Sequence, residues 1–163
     1  MKKNIVLSLV LIILILIPIN AFASGVNKNA YEKKQSILSA KGKMAAVKEN
    51  LINEKEILKQ ISKKNKLAKS LLKEKNQKNN FSLEQKQAIL NAVKEIKQQV
   101  GYVKIPISDI KIIWNKAKAN NKIRNYKELS SNLDDIIELQ KKKIEYLNKI
   151  NQDFDELIKL LET

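Results

Sequence analysis

Residues 125–161, NYKELSSNLDDIIELQKKKIEYLNKINQDFDELIKLL, decide the fold because their apolar side chains recur with the period of a helix. If Tyr126 is heptad position a, apolar residues fill most a and d positions: Tyr126, Leu129, Leu133, Ile136, Leu147, Ile150, Phe154, Leu157 and Leu161. Further apolar residues at e and g widen the stripe beyond a two-stranded seam. The pattern predicts a helix that packs against two neighbours.

A second heptad pattern runs from about residue 27 to residue 75. With Ile37 at position a, the a and d positions hold Ile37, Ala40, Met44, Val47, Leu51, Leu58, Ile61, Ala68 and Leu72. Glu54 and Asn65 interrupt this seam. A helix of this extent would be about 70 Å long at a rise of 1.5 Å per residue.

The middle segment, residues 82–120, is predicted to be a helix with a kink. Ser82 and Gln85 have the spacing of a capping box at its start. Apolar residues then follow at helical spacing as far as Val103, but Pro106 cannot donate to the helical ladder. Trp114 and Tyr102 flank this proline. We interpret them as core aromatics that fill the space around the bend, and the alternative is a patch that grips a ligand.

Two polar breaks separate the three helical segments. Residues 76–80 form the first, and residues 119–122 form the second, after which Asn125 is the predicted N-cap of the last helix. The lengths predict an all-α protein, an elongated antiparallel three-helix bundle in one domain over residues 24–163. The alternative is a coiled-coil-like helical hairpin that completes its core by self-association. Polar seam residues keep it open: Glu54, Asn65, Gln140 and Lys143.

The first 23 residues have the pattern of a secretory signal peptide. Lys2 and Lys3 precede an apolar run over residues 5–19, and Ala21-Phe22-Ala23 is a small-x-small cleavage pattern. The apolar run is shorter than the roughly 20 residues that a membrane span requires. We expect cleavage after Ala23, with an uncleaved anchor as the alternative. The product would then be exported, and either secreted or associated with the cell envelope.

Composition excludes several kinds of chemistry. The chain has no His and no Cys, which excludes imidazole and thiolate metal ligands, disulfides and His-dependent nucleophilic catalysis. Two groups of carboxylates remain: Asp134, Asp135 and Glu138, and Asp153, Asp155 and Glu156. The heptad frame places them mostly on the outer face, where they keep ordinary acidity and splay apart. We therefore predict no enzymatic activity, no metal site and no cofactor.

Charge is distributed unevenly, and one row of lysines is periodic. Residues 24–124 hold 24 basic and 8 acidic residues, whereas residues 125–163 hold 6 basic and 9 acidic ones. Lysines recur at position e of the first helix: Lys34, Lys41, Lys48, Lys55 and Lys69. Because the other helices offer few acids at matching positions, we predict that this row binds a polyanion. The alternative is that these lysines are solvated and only shield the seam with their methylene stems.

The expected export limits the classes of partner that the protein can meet. An anionic envelope polymer or an acidic protein partner fits an exported chain, and because of the signal peptide nucleic acid is not expected as the native target. No aromatic stacking face accompanies the lysines, so single-strand binding has no specific support. Membrane contact is expected only through an uncleaved signal, and self-association remains open. The sequence thus predicts an exported, non-enzymatic helical binding or scaffold protein. The alternatives are a holdase-type extracytoplasmic chaperone and a small hydrolase.

Overall fold

Three long helices make up the part of the chain that the structure, a computed structural model, describes, residues 28–78 and 81–163. Helix α1 spans Lys28–Lys78, α2 spans Leu83–Lys122 and α3 spans Tyr126–Glu162. No strand occurs within these residues, so the all-α prediction is confirmed. The predicted signal peptide, with Ala21 and Ala23, lies outside the described residues.

Helix α3 is the common partner of the other two. It packs along most of α1 and most of α2, whereas α1 and α2 make few backbone contacts with each other. This confirms the prediction that the broad apolar stripe of α3 contacts two neighbours. The structure is therefore a helical bundle, and a two-helix hairpin does not describe it.

Pairs of contacting residues fix the helix directions. Lys43 pairs with Asp134 and Lys64 pairs with Asp155, both 91 residues apart, so α1 and α3 run parallel. Tyr102 of α2 lies against Tyr146 of α3, while Trp114 shares a core cluster with Tyr126, so α2 and α3 run antiparallel. The order is up-down-up. Helix α1 extends about two turns beyond α3 at each end, at 3.6 residues per turn.

Two apolar clusters follow one another along the bundle. One surrounds Leu133 and Ile136 of α3, and the other surrounds Leu157 and Leu161 near its end. On α1, the d residues Ala40, Val47, Glu54 and Ala68 are buried and Ile61 is half-buried. The a positions are only half-buried or exposed: Ile37, Met44, Leu51, Leu58, Asn65 and Leu72. Helix α1 therefore turns its d edge, rather than the middle of the predicted a/d seam, toward α3.

The helix ends mostly agree with the sequence. Gln85 donates its backbone N–H to the Ser82 hydroxyl at 3.1 Å, and Ser82 N–H donates to the Gln85 side chain at 3.0 Å, which confirms the capping box. Asn125 accepts from the N–H of Glu128 at 3.3 Å, as an N-cap does. The predicted break at residues 119–122 is misplaced, because α2 continues to Lys122.

The turn between α2 and α3 depends on Arg124. Its φ is 60°, in the left-handed region, and its N–H donates to the Asn121 carbonyl at 3.1 Å. The N–H of Asn125 donates to the Asn120 carbonyl at 2.9 Å. These two bonds form a Schellman motif, which usually has glycine where this chain has arginine. Because no glycine marks this position, the end of α2 could not be located from residue type, which explains the misplaced break.

Helix α2 does not end at Pro106. The proline is buried within the bundle, and the helix continues to Lys122. Packing against α3 on both sides of the proline, by Val103 and Trp114, holds the segment helical despite the missing N–H donor.

Candidate functional site

The lysine row of α1, which comprises Lys34, Lys41, Lys48, Lys55 and Lys69, is exposed along its whole length. From Lys41 onward, each member directly follows a buried residue of the d row: Ala40, Val47, Glu54 and Ala68. One step along a helix turns the side chain by about 100°, which carries each lysine out of the core and onto the surface. The row therefore lies beside the half-buried a positions.

Other lysines of α1 are neutralised by α3. Lys43 forms an ion pair with Asp134, and Lys64 Nζ lies 2.6 Å from Asp155 Oδ2. Both occupy heptad position g, on the edge that faces α3. Within the described ranges, Lys41, Lys48, Lys55 and Lys69 make no such pair. The acids of α3 thus neutralise the g lysines, whereas these four e lysines have no acidic partner among the residues that the structure describes.

The polar seam positions satisfy one another inside the monomer. Lys143 forms an ion pair with Glu54. Gln140 donates through Nε2 to the Val47 carbonyl at 3.3 Å, and its Oε1 accepts from Asn50 at 3.2 Å. Glu54, Gln140 and Lys143 therefore form hydrogen bonds or ion pairs between α1 and α3 of the same chain. They are three of the four polar seam residues that suggested self-association.

The first carboxylate group of α3 borders an open cleft of about 340 Å³ against α2, lined by Asp109, Ile112, Ile113, Asp135, Glu138 and Leu139. Glu138 Oε1 lies 2.8 Å from Lys142 Nζ, and this hydrogen-bonded cation lowers the pKa of the Glu138 carboxyl. A general acid requires a raised pKa, which burial produces. Asp109, Asp135 and Glu138 are all exposed, so the cleft has the electrostatics of a solvated surface.

The second carboxylate group departs from the sequence analysis at Asp153. This residue is 1% exposed, not on the outer face, and its carboxylate lies within 4.8 Å of those of Glu95 and Glu156. Sequence reasoning missed Glu95, which approaches from α2. Lys149 Nζ lies 2.8 Å from Asp153 Oδ1, and this contact raises the pKa of Lys149. The buried charge therefore already has a cation beside it.

The aromatic residues near Pro106 belong to the interior and its edge. Trp114 is buried in the cluster around Leu133, as the core interpretation predicts. The core interpretation is wrong for Tyr102, which is exposed at the surface. Its ring lies 5.7 Å from that of Tyr146, and its hydroxyl accepts from Gln98 at 2.7 Å. Tyr102 is therefore engaged by neighbours of its own chain.

Within the residues described, no helix combines the length and apolar content that a bilayer span requires. No protein-family model matches the chain, and no curated protein or solved structure matches it with significant similarity. The candidate site therefore stands on its own geometry, and its strongest feature is the lysine row of α1.

Proposed function

We propose that this chain is a non-enzymatic helical binding or scaffold protein that engages an anionic partner through the lysine row of α1. One contrast carries the proposal. The g lysines Lys43 and Lys64 are neutralised by α3, whereas Lys41, Lys48 and Lys55 face solvent with no counter-ion among the described residues.

The spacing of the row suits an extended ligand. Seven residues at 1.5 Å per residue place successive lysines about 10 Å apart, slightly more than the Debye length of about 8 Å at physiological ionic strength. Each lysine therefore repels its neighbours only weakly, and a partner with regularly spaced negative charges would meet several of them at once. Either an anionic polymer of the cell envelope or an acidic protein has this property.

The site of action follows from the proposed export. The basic start, the apolar run over residues 5–19 and the pattern around Ala21 and Ala23 support a signal peptide that is cleaved after Ala23. We further propose that Pro106 bends α2, because it removes one bond from the helical ladder. We also propose that the protein can self-associate.

A holdase-type chaperone is the second candidate. Large apolar side chains of α2 are exposed away from the core, including Leu83, Leu90, Ile105 and Ile112. Such residues would bind unfolded clients by apolar contact, and this binding would persist at high salt. A small hydrolase has less support, because the cleft beside Glu138 is shallow and its carboxylates are exposed.

Titration with a polyanion tests the proposal. Poly-L-glutamate is added to the wild type, to the triple variant Lys41→Gln/Lys48→Gln/Lys55→Gln, and to a control of equal charge, Lys127→Gln/Lys141→Gln/Lys159→Gln, on the outer face of α3. We expect salt-sensitive binding that weakens about tenfold in the first variant and much less in the control. Equal weakening in the two triple variants would show that net charge alone determines binding, and it would contradict the proposal.

A further inference from the structure

A second row of lysines lies on α2. Lys97, Lys104, Lys111 and Lys118 recur at seven-residue steps. Each directly follows a residue of the α2 face that packs on α3: Ile96, Val103, Ile110 and Ala117. Lys97, Lys104 and Lys111 are exposed and Lys118 is half-buried. This lysine row of α2 has the same relation to the core as the lysine row of α1.

Both rows lie on the side of the bundle away from α3. On α1, the residues that bond to α3 are at positions c, g and d, such as Ser39, Lys43 and Glu54, and the e row lies past the opposite edge of the helix. On α2, Glu95 and Tyr102 lie close to residues of α3, and the lysine row lies beyond the opposite edge of the packed face. Met44 and Leu51 of α1 pack against the cluster that contains Trp114 of α2, so these edges of the two antiparallel helices face each other. Each lysine row lies next to that edge of its helix, and both rows therefore border the groove between α1 and α2.

The two rows are level with each other. Lys64 is beside Asp155, 91 residues later, and Tyr102 is beside Tyr146. Applying these offsets along the helices places three lysine pairs at matching heights, within about 3 Å along the axis at 1.5 Å per residue. The pairs are Lys41 with Lys118, Lys48 with Lys111, and Lys55 with Lys104.

An apolar strip lies between the rows. Helices α1 and α2 make few backbone contacts with each other, and apolar side chains along the groove between them are partly exposed. Leu58 is 48% exposed, and Val100 and Ile107 are 43% and 47% exposed. Met44 and Leu51 continue the strip on α1 and are half-buried. The groove therefore has an apolar floor and a cationic rim on each side.

Acidic residues are turned away from this groove. Glu95 lies beside Asp153, and Asp109 lines the cleft beside Asp135, so both face α3. On α1, Glu49 and Glu56 occupy position f on the outer surface. In the described part of the chain, neither rim has a carboxylate paired with it from Lys41 to Lys55 or from Lys97 to Lys118.

We propose that this groove binds an acidic amphipathic helix, which would complete a four-helix bundle. Such a helix places apolar residues at its a and d positions and carboxylates at e and g, on both flanks of the apolar stripe. Its heptad repeat of about 10.5 Å equals the spacing of each lysine row. This inference rests on the proposed function and names the class of the anionic partner.

The apolar floor of the groove would be covered by a bound helix but not by a plain polyanion. A flexible polyanion would use the lysine rows alone and would leave Leu58, Val100 and Ile107 in water. A helix would cover them, and burial of apolar surface contributes about 25 cal/mol per Å². The apolar floor therefore favours the helix over the polymer.

Binding of a designed peptide tests the inference. The probe is a 28-residue peptide with Leu at a and d and Glu at e and g, and its reference is a scrambled peptide of identical composition. Affinity is measured by calorimetry and peptide helicity by circular dichroism. We expect the patterned peptide to bind at least about tenfold more tightly than the scrambled one and to gain helicity on binding.

Three variants locate the binding. Lys104→Gln/Lys111→Gln/Lys118→Gln should weaken the patterned peptide by about tenfold, and the control Lys127→Gln/Lys141→Gln/Lys159→Gln should change it little. Val100→Gln/Ile107→Gln changes exposed positions, so folding should survive, and it should weaken the patterned peptide but not poly-L-glutamate. Circular dichroism of each variant checks that the fold is retained.

The outcomes separate this inference from the proposed function. Equal binding of the two peptides, with poly-L-glutamate still dependent on the lysine row of α1, would overturn the helix and leave a plain polyanion partner. An unchanged affinity in the Val100→Gln/Ile107→Gln variant would also overturn it. If substitution of the lysine row of α1 weakened the binding of no probe, the proposed function itself would be contradicted.

Discussion

Lys143 of α3 forms an ion pair with Glu54 of α1 inside the bundle, where 14% and 5% of the two side chains are exposed. One oxygen of Glu54, Oε1, is buried without a hydrogen bond from the described residues. The two residues occupy d positions of parallel helices, and their pairing fixes the height of α1 along α3. Loss of either partner would leave a buried charge without compensation.

Substitution of one partner should therefore destabilise the protein, and substitution of both should not. Lys143→Met is expected to lower the free energy of unfolding by about 3 kcal/mol, since Glu54 would stay buried and unpaired. The double variant Glu54→Leu/Lys143→Met should return close to wild-type stability or exceed it. Urea denaturation of the wild type, both single variants and the double variant measures the coupling. Additive effects of the two substitutions would show that the pair is not coupled.

A second stability prediction concerns the turn at Arg124. Its backbone is left-handed, which costs a residue with a side chain roughly 1–2 kcal/mol and costs glycine little. Arg124→Gly should raise the free energy of unfolding by about 0.5–1 kcal/mol, after the greater chain entropy of glycine in the unfolded state is subtracted. Thermal unfolding measures the change, with Lys122→Gly as a control inside the helix that should destabilise. A lower stability for Arg124→Gly would argue against the left-handed turn.

The pair of Lys149 and Asp153 predicts an alkaline dependence. Asp153 raises the pKa of Lys149 above the ordinary lysine value of 10.5. A raised pKa in the folded state stabilises the protein at pH values below 10.5, and this contribution is lost as the pH rises through the higher folded value. Lys149→Met should therefore be less stable than wild type near neutral pH, and its stability should fall less steeply above pH 10.5. The control Lys141→Met, at an exposed lysine, should keep the wild-type slope.

The helices and their ends could largely be predicted from the sequence because their signals are local. Ser82 and Gln85 have capping-box spacing, and the stripe of α3 requires two neighbours whatever their identity. Arg124 shows where this fails, since nothing in its type indicates left-handed backbone. Pro106 lies inside one continuous helix, as predicted, because packing on α3 on both sides of the proline compensates for the missing N–H donor.

Only part of the candidate site could be predicted from the sequence. The row on α1 follows from its heptad spacing, and Lys97, Lys104, Lys111 and Lys118 have the same spacing in the sequence of α2. Their common face depends on the direction of α2 and on which edge packs against α3, and these are tertiary properties. The proximity of Glu95 to Asp153 could not be predicted for the same reason, because it involves two different helices.

Mapping of lysine accessibility tests the central claim most directly. The chain is methylated reductively with and without poly-L-glutamate, and protection is read at each lysine by mass spectrometry. We predict that Lys41, Lys48 and Lys55 are protected more strongly than the outer lysines Lys127, Lys141 and Lys159, and that protection disappears at high salt. Equal protection of the two sets would contradict the claim that the anionic partner binds along the lysine row of α1.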